Sequence, residues 1–214
     1  MKGTCYIVGA ADTEDTILDV SVLKNDDCVI AADGGYQTLK QWGIKPHQII
    51  GDFDSLGFVP DEQQVVRYPS EKDDTDMMIA VKLGLEKGYE RFVIYGGLGG
   101  RLDHTLANIH VLEYLAKHGA RGCLAGNCEN VILVENEKVT FEENAEGVIS
   151  IFAYGGNAEG VYLSGLKYPL TDAVLTTDFP VGVSNEFTGV KSDISVRNGR
   201  LLILWTGDIH LYSI

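Results

Sequence analysis

Two carboxylates spaced i, i+2 follow an apolar run in Ile49-Ile50-Gly51-Asp52-Phe53-Asp54-Ser55-Leu56. Side chains alternate faces along a strand, so Asp52 and Asp54 project together while Phe53 points into the packing behind them. Two like charges this close repel unless a cation sits between them, and hard carboxylate oxygens favour Mg²⁺ or Ca²⁺. Mg²⁺ usually takes only one or two protein carboxylates and fills its octahedron with water and substrate phosphate, so the pair suggests an enzyme acting on a nucleotide polyphosphate. The alternative is a solvated turn, since Asp-x-Asp-Ser is common turn chemistry.

Three further stretches carry matching chemistry. Asp33-Gly34-Gly35 sets a carboxylate before two glycines that let backbone approach a ligand closely. Ser70-Glu71-Lys72-Asp73-Asp74-Thr75-Asp76 precedes an amphipathic helix. Helix capping accounts for one or two of its residues, Thr75 among them, but not for Lys72 beside three carboxylates. Lys72 fits a phosphate-binding cation, next to a second metal-facing acid, Asp76. Gly96-Gly97-Leu98-Gly99-Gly100-Arg101-Leu102-Asp103-His104 exposes backbone amides in a concavity suited to phosphate or a flat base, with Arg101 as a fixed positive fork. It is neither Gly-x-Gly-x-x-Gly nor the Gly-x-x-x-x-Gly-Lys-Ser/Thr phosphate loop. Asp103 can equally be a helix N-cap and His104 a structural hydrogen-bonding residue. Far downstream, Val183-Ser184-Asn185-Glu186-Phe187-Thr188-Gly189 gathers groups that a flat, partly polar ligand can use, or forms a polar turn with one core Phe.

The elements that must position these residues alternate in the first half. Buried strands are predicted over Thr4–Ala10, Cys28–Ala32, Gln48–Gly51, Gln64–Tyr68, Arg91–Tyr95 and Gly122–Ala125. Helices are predicted over residues 13–24, Tyr36–Trp42, the segment after Asp76, and Leu106–Lys117. Alternating strands and helices imply a Rossmann-like parallel sheet with helices on both faces, and Asp33, Asp52, Asp54 and the segment after Tyr68 fall at the carboxyl ends of its strands, where such sheets bind ligands. From Asn130 onward the pattern changes to short strands with turn punctuation, which indicates a smaller all-β sandwich. Asn198-Gly199 is read as a hairpin turn within it. The expected domains are residues 1–127, α/β, and 128–214, β-sandwich.

Composition narrows the partners. A net charge of −14 argues against nucleic-acid backbones and anionic membranes, so a polyanionic ligand must be met by metal and a few placed cations. Cys5, Cys28, Cys123 and Cys128 form no Cys-x-x-Cys pair and lie mostly in apolar runs. With no signal-like leader at the N-terminus, they are expected to be reduced thiols of a cytoplasmic protein. No apolar run approaches the roughly 20 residues needed to span a bilayer.

In order, Asp-Gly-Gly at 33–35, Gly-Asp-Phe-Asp-Ser at 51–55, Lys-Asp-Asp-Thr-Asp at 72–76, Gly-Gly-Arg-Leu-Asp-His at 99–104 and Ser-Asn at 184–185 resemble the thiamine pyrophosphokinase family, in its compact bacterial form. The resemblance implies Mg²⁺-dependent transfer of a pyrophosphoryl group from ATP to thiamine, with AMP released. It also implies a homodimer, with thiamine near the subunit interface. Its metal-binding acids fall on Asp33, Asp52, Asp54 and Asp76, and its phosphate-binding residues on Lys72 and Arg101. Gly34, Gly35, Thr75, Gly97, Gly99, Gly100, Asp103 and His104 are assigned to the nucleotide, and Ser184, Asn185 and Phe187 to thiamine. The family often has a hydroxyl residue before Ser-Asn, where this chain has Val183.

The chemistry also follows without the family. An alcohol attacks the β-phosphorus in line as AMP leaves, so cations must bracket the α–β bridge, and positioning with electrostatic stabilisation supplies most of the catalysis. Two other activities share these acids: pyrophosphorylation of a pterin alcohol, and Mg²⁺-dependent phosphohydrolysis.

Overall fold

The computed structural model describes residues 2–11, 18–51, 65–67, 73–127, 129–209 and 212–213. The chain divides into two compact units, Met1–Asn127 and Cys128–Ile214.

The first unit is α/β. Its strands are β1 (Cys5–Val8), β2 (Cys28–Ala32), β3 (Gln48–Gly51), β4 (Val65–Arg67), β5 (Arg91–Tyr95) and β6 (Arg121–Ala125). Their spatial order is β6-β5-β1-β2-β3-β4, with every pair parallel. All nine residues of β1 and β2 are buried, the uninterrupted apolar signature of a strand covered on both faces.

Three helices provide that cover: α1 (Gly35–Gln41), α2 (Asp76–Glu86) and α3 (Leu102–Lys117). On α2, Gly84 sits so close to the sheet that an added Cβ would lie 2.5 Å from a Phe92 ring carbon and 3.0 Å from Cys5 Sγ. On β6, a Cβ on Gly122 would meet Leu115 of α3 at 2.6 Å. Phe92 and Gly122 are register partners, so α2 and α3 share one face. Trp42, at the end of α1, packs edge-on to Tyr95 at 5.7 Å. Tyr95 is three residues from Phe92 on one strand, which places α1 on the opposite face.

Two helix expectations change. Of the helix read over residues 13–24, the described part holds only a single 3-10 turn at Val20–Val22. Asp19 caps it through Ser21 N–H at 2.8 Å, and Leu23 is already extended, so β-branched valines beside a strong cap win over the apolar spacing. The helix read from Leu106 starts a turn earlier, at Leu102. Its first turn carries an exposed Leu102 between Arg101 and Asp103, which hides the periodicity.

The second unit is all β: β7 (Asn130–Glu135), β8 (Lys138–Phe141), β9 (Val148–Ala153), β10 (Ala158–Ser164), β11 (Leu170–Leu175), β12 (Asn185–Glu186), β13 (Ser192–Asn198), β14 (Arg200–Trp205) and β15 (Tyr212–Ser213). They form two antiparallel arrays, β12-β9-β14-β7 and β11-β10-β13-β8-β15. Their inner faces meet at an aromatic cluster in which Phe141 lies 5.3 Å from Trp205 and Trp205 lies 5.2 Å from Tyr212.

Asn198-Gly199 is not a hairpin. The strands on either side of it belong to different arrays, so the turn carries the chain across the core. Gly199 N–H donates to Asn136 Oδ1 at 2.8 Å, and Asn136 N–H donates to Gly199 O at 3.2 Å, which binds this crossover to the one between β7 and β8. Asn-Gly supplies the positive φ the corner needs, +111° at Gly199, and local sequence cannot say which partner each strand takes.

Candidate active site

Strand order in the first unit reverses between β1 and β5, since β2, β3 and β4 extend to one side and β6 to the other. Ligands in open α/β sheets bind beyond the carboxyl ends of strands at such a point. The two chain segments leaving it are in close contact. Gly9 N–H donates to Tyr95 O at 2.8 Å and Ala11 N–H to Gly96 O at 3.2 Å. A Cβ on Gly9 would lie 2.7 Å from Gly96 O, and Gly96 takes φ +63°. Beyond them opens a cavity of about 330 Å³, lined by Gly9 to Ala11, Asp33, Thr75 to Met77, and the loop and first turns of α3.

Asp33 enters this cavity from the end of β2 in the left-handed region, φ +49°, a conformation Asp tolerates better than most residues. Its N–H donates to Ile50 O at 2.7 Å, which extends the β2–β3 ladder by a step and fixes where the carboxylate leaves the sheet. Asp76 enters from the first turn of α2, where the helix dipole favours a negative charge. Thr75 is the cap of that helix, its Oγ1 accepting Met78 N–H at 3.1 Å, and it lines the cavity as well.

The glycine loop follows β5. Gly97, Gly99 and Gly100 all line the cavity; Gly99 and Gly100 take φ +84° and +64° in open space. Arg101 stands at the N-cap of α3 without a side-chain cap bond. Its Nη2 and Nε instead donate to the two Asp103 carboxylate oxygens, at 2.6 and 3.1 Å. The Arg101 guanidinium holds the Asp103 carboxyl below the usual carboxylate range. Both side chains are mostly exposed, so the pair adds little stability and a polyanion can compete for the guanidinium. Asp103 is therefore a first-turn residue rather than the N-cap, and its Oδ1 accepts His104 N–H at 3.0 Å. His104 is exposed at the cavity wall.

Gly34 and Gly35 have a packing role in this geometry. A Cβ on Gly35 would lie 1.8 Å from Val8 O, and one on Gly34 would lie 2.9 Å from Ala10 Cβ, so both let α1 start directly against the end of β1. Asp52, Asp54 and Lys72 lie outside the described residues; β3 ends at Gly51, with Ile50 in register with Ala32 beside Asp33. Among the described residues no group of three or more His, Cys, Asp or Glu side chains is placed to hold a metal ion.

In the second unit, Ser184 is exposed with φ +57°, and its N–H donates to Ser150 Oγ at 3.1 Å. Asn185 is 3% exposed. Its Oδ1 accepts the N–H groups of Tyr168 and Glu186, both at 2.9 Å, and its Nδ2 donates to Tyr168 O at 2.8 Å. Phe187 is half-buried, 5.2 Å from Phe141. Asn185 thus fastens one backbone segment to another, while Ser184 faces solvent and Phe187 walls the aromatic core.

Sequence reasoning missed Gly9, Ala10, Ala11, Met77 and Asn108 of the cavity lining. The signal was a run of three small residues leaving a buried strand, and one Asn amid the apolar side of α3.

Acids and a glycine loop gathered at the reversal point of a parallel sheet define an α/β protein whose cavity lies beyond its strand ends, where open sheets of this kind bind ligands. Residues 20–124 match the family described as thiamin pyrophosphokinase, catalytic domain, and residues 134–201 match thiamin pyrophosphokinase, vitamin B1 binding domain. The chain is 29% identical over 188 residues to thiamine pyrophosphokinase of Bacillus subtilis, covering 84% of this chain and 87% of that protein. It is 28% identical over 191 residues to thiamin pyrophosphokinase 1 of Caenorhabditis elegans, covering 81% of this chain and 76% of that protein. The crystal structure of the Bacillus subtilis thiamine pyrophosphokinase superposes with a TM-score of 0.83 at 26% identity, over 97% of this chain and 100% of that one. This chain belongs to the thiamine pyrophosphokinase family.

No helix among the described residues is long and apolar enough to cross a membrane.

Proposed function

We propose that this protein is a thiamine diphosphokinase that transfers a pyrophosphoryl group from ATP to thiamine, giving thiamine diphosphate and AMP, with Mg²⁺ as its metal. The observation that carries the reading is the meeting of Asp33, Asp76, Arg101 and the glycine loop around one cavity at the reversal point of the sheet. The donor set fits Mg²⁺: hard carboxylate oxygens at strand and helix ends, opening onto space for water and phosphate. Asp33 and Asp76, with Asp52 and Asp54, are the residues assigned to hold it. When bound, Mg²⁺ supplies charge neutralisation along the polyphosphate.

The reaction forms a bond between the thiamine hydroxyl oxygen and the β-phosphorus and breaks the bond from that phosphorus to the α–β bridging oxygen. The bridging oxygen leaves with AMP, and the hydroxyl proton passes to a base. Arg101 and Lys72 take the charge that builds on the phosphates, and the amides of the glycine loop meet the nucleotide. In this reading residues 1–127 form a Rossmann-like ATP- and Mg²⁺-binding domain, supported by its parallel strand order. Residues 128–214 form a thiamine-binding β-sandwich, supported by the two facing arrays. Ser184 and Phe187 meet thiamine, and Asn185 shapes the segment that carries them. The protein acts as a homodimer, a reading supported by the exposed apolar run Phe179, Val181 and Val183. It acts in the cytoplasm without nucleic acid or membrane, as the charge of −14 and the buried free thiols Cys5, Cys28 and Cys123 support.

Incubation with ATP, Mg²⁺ and thiamine, followed by product identification, tests the reading. AMP and thiamine diphosphate in equal amounts are expected. Phosphate release without an acceptor would replace the reading with a hydrolase, and turnover only with a pterin alcohol would move the acceptor.

A further inference from the structure

The loop between β5 and α3 is held by a side chain from the buried face of α3, at the inner wall of the cavity. Asn108, in the second turn of α3, is 8% exposed, and its Nδ2 donates to Gly97 O at 2.8 Å. The bond sits among aliphatic groups: a Cβ on Gly97 would lie 3.3 Å from Ile94 Cγ2 and 3.4 Å from Leu124 Cδ2. In such surroundings an amide is tolerated only when paired, so the pairing is strongly enforced. Farther along, Thr105 Oγ1 reaches Gly99 O at 3.4 Å, a longer bond on the exposed side. Gly99 and Gly100 have nothing within 4 Å of an added Cβ, so the tip of the loop has no packing of its own to orient it.

A trans peptide sets its N–H antiparallel to its C=O. Fixing the Gly97 carbonyl onto α3 therefore turns the Leu98 N–H away from the helix and sets the plane from which Gly99 and Gly100 depart. We infer that Asn108 is a positioning residue of this loop: by clamping Gly97 it aims the loop amides at the ATP phosphates, acting through the backbone rather than by contact with phosphate. The identity of the anion rests on the proposed function.

The test compares Asn108→Asp, which replaces the N–H donor by a carboxylate of the same shape, with Asn108→Ala, which deletes it. Steady-state kinetics of AMP formation with thiamine, ATP and Mg²⁺ should show the ATP KM raised about tenfold, equivalent to about 1.4 kcal/mol, and the thiamine KM within about twofold of the parent. Amide hydrogen exchange should speed up at residues 98–100 and stay unchanged in α3 beyond residue 110. A folded variant with an unchanged ATP KM overturns the inference, and so does a parallel rise of both KM values, the mark of general loosening. If Asn108→Asp does not fold, Asn108→Ala decides alone. If the parent makes no AMP, the reading of function fails, and calorimetric ATP binding to parent and variants still decides: about tenfold weaker binding sustains the clamp and equal affinity overturns it.

Discussion

Asn185→Ala separates a residue that shapes a segment from one that touches substrate. Its amide makes three hydrogen bonds at 2.8 to 2.9 Å, to both polar groups of the Tyr168 backbone and to Glu186 N–H. At a net ~0.5–1.5 kcal/mol each, truncation removes on the order of 2–4 kcal/mol, and the backbone groups left behind are poorly placed to recover it. With a urea m-value of about 1–3 kcal/mol/M, the unfolding midpoint of the second unit should fall by roughly 1–2 M. The chain has only two tryptophans, one in each unit, so a Trp42→Phe background leaves Trp205 as a reporter of the second unit. Trp205 is 1% exposed between Phe141 and Tyr212, and its emission should follow the opening of that core. In the same protein the thiamine KM, measured well below the transition, should stay within about threefold. A midpoint shift below about 0.3 M combined with a tenfold rise in thiamine KM would refute the reasoning and make Asn185 a direct contact.

Asp33→Asn and Asp76→Asn should each lower AMP formation by roughly a hundredfold or more while leaving the thermal transition in place, since each removes a charge from the cavity rather than a core contact; turnover with normal Mg²⁺ dependence would count against the metal assignment. Phe187→Ala should raise the thiamine KM about tenfold with the ATP KM unchanged, and destabilise the second unit by about 2 kcal/mol because its ring packs on Phe141 at 5.2 Å; an unchanged thiamine KM removes it from the acceptor site. Asp193 accepts the Thr140 hydroxyl at 2.6 Å, and that bond, with Lys138 beside it, holds its carboxyl below the usual range. A depressed folded-state value contributes stability above the unfolded value of about 3.9, lost as pH falls through the folded one, so Asp193→Asn should flatten the acid-induced loss of second-unit stability below about pH 4; an unchanged slope would show that the Thr140 bond adds no pH dependence.

Much of the first unit was legible. β2, β3 and β5 run over the residues their apolar runs mark, because strands covered on both faces have no polar alternation to confuse them. Asp33, Asp76 and the glycine loop were also legible, as carboxylates and glycines placed just after such strands or at helix starts. The start of α3 was not, since Leu102 is exposed and breaks the periodicity from which the helix was read. In the second unit most strands were visible while their partners were not, and the two-residue strands at Asn185–Glu186 and Tyr212–Ser213 are too short to show a period.

By itself the sequence determined which acids, cations and glycines follow the predicted strands and open the predicted helices, and the order of those elements, because residue type and local periodicity act over a few residues. Only the tertiary structure decided that β5 returns beside β1, which puts the loop after Tyr95 against Gly9 and makes one cavity from segments as distant in the chain as Gly9 and Asn108. It alone decided that Asn198-Gly199 crosses between arrays, and that the Asn185 amide is directed to Tyr168. Pairing, register and the direction of a buried amide depend on which distant groups come within about 3 Å, and no local pattern encodes that.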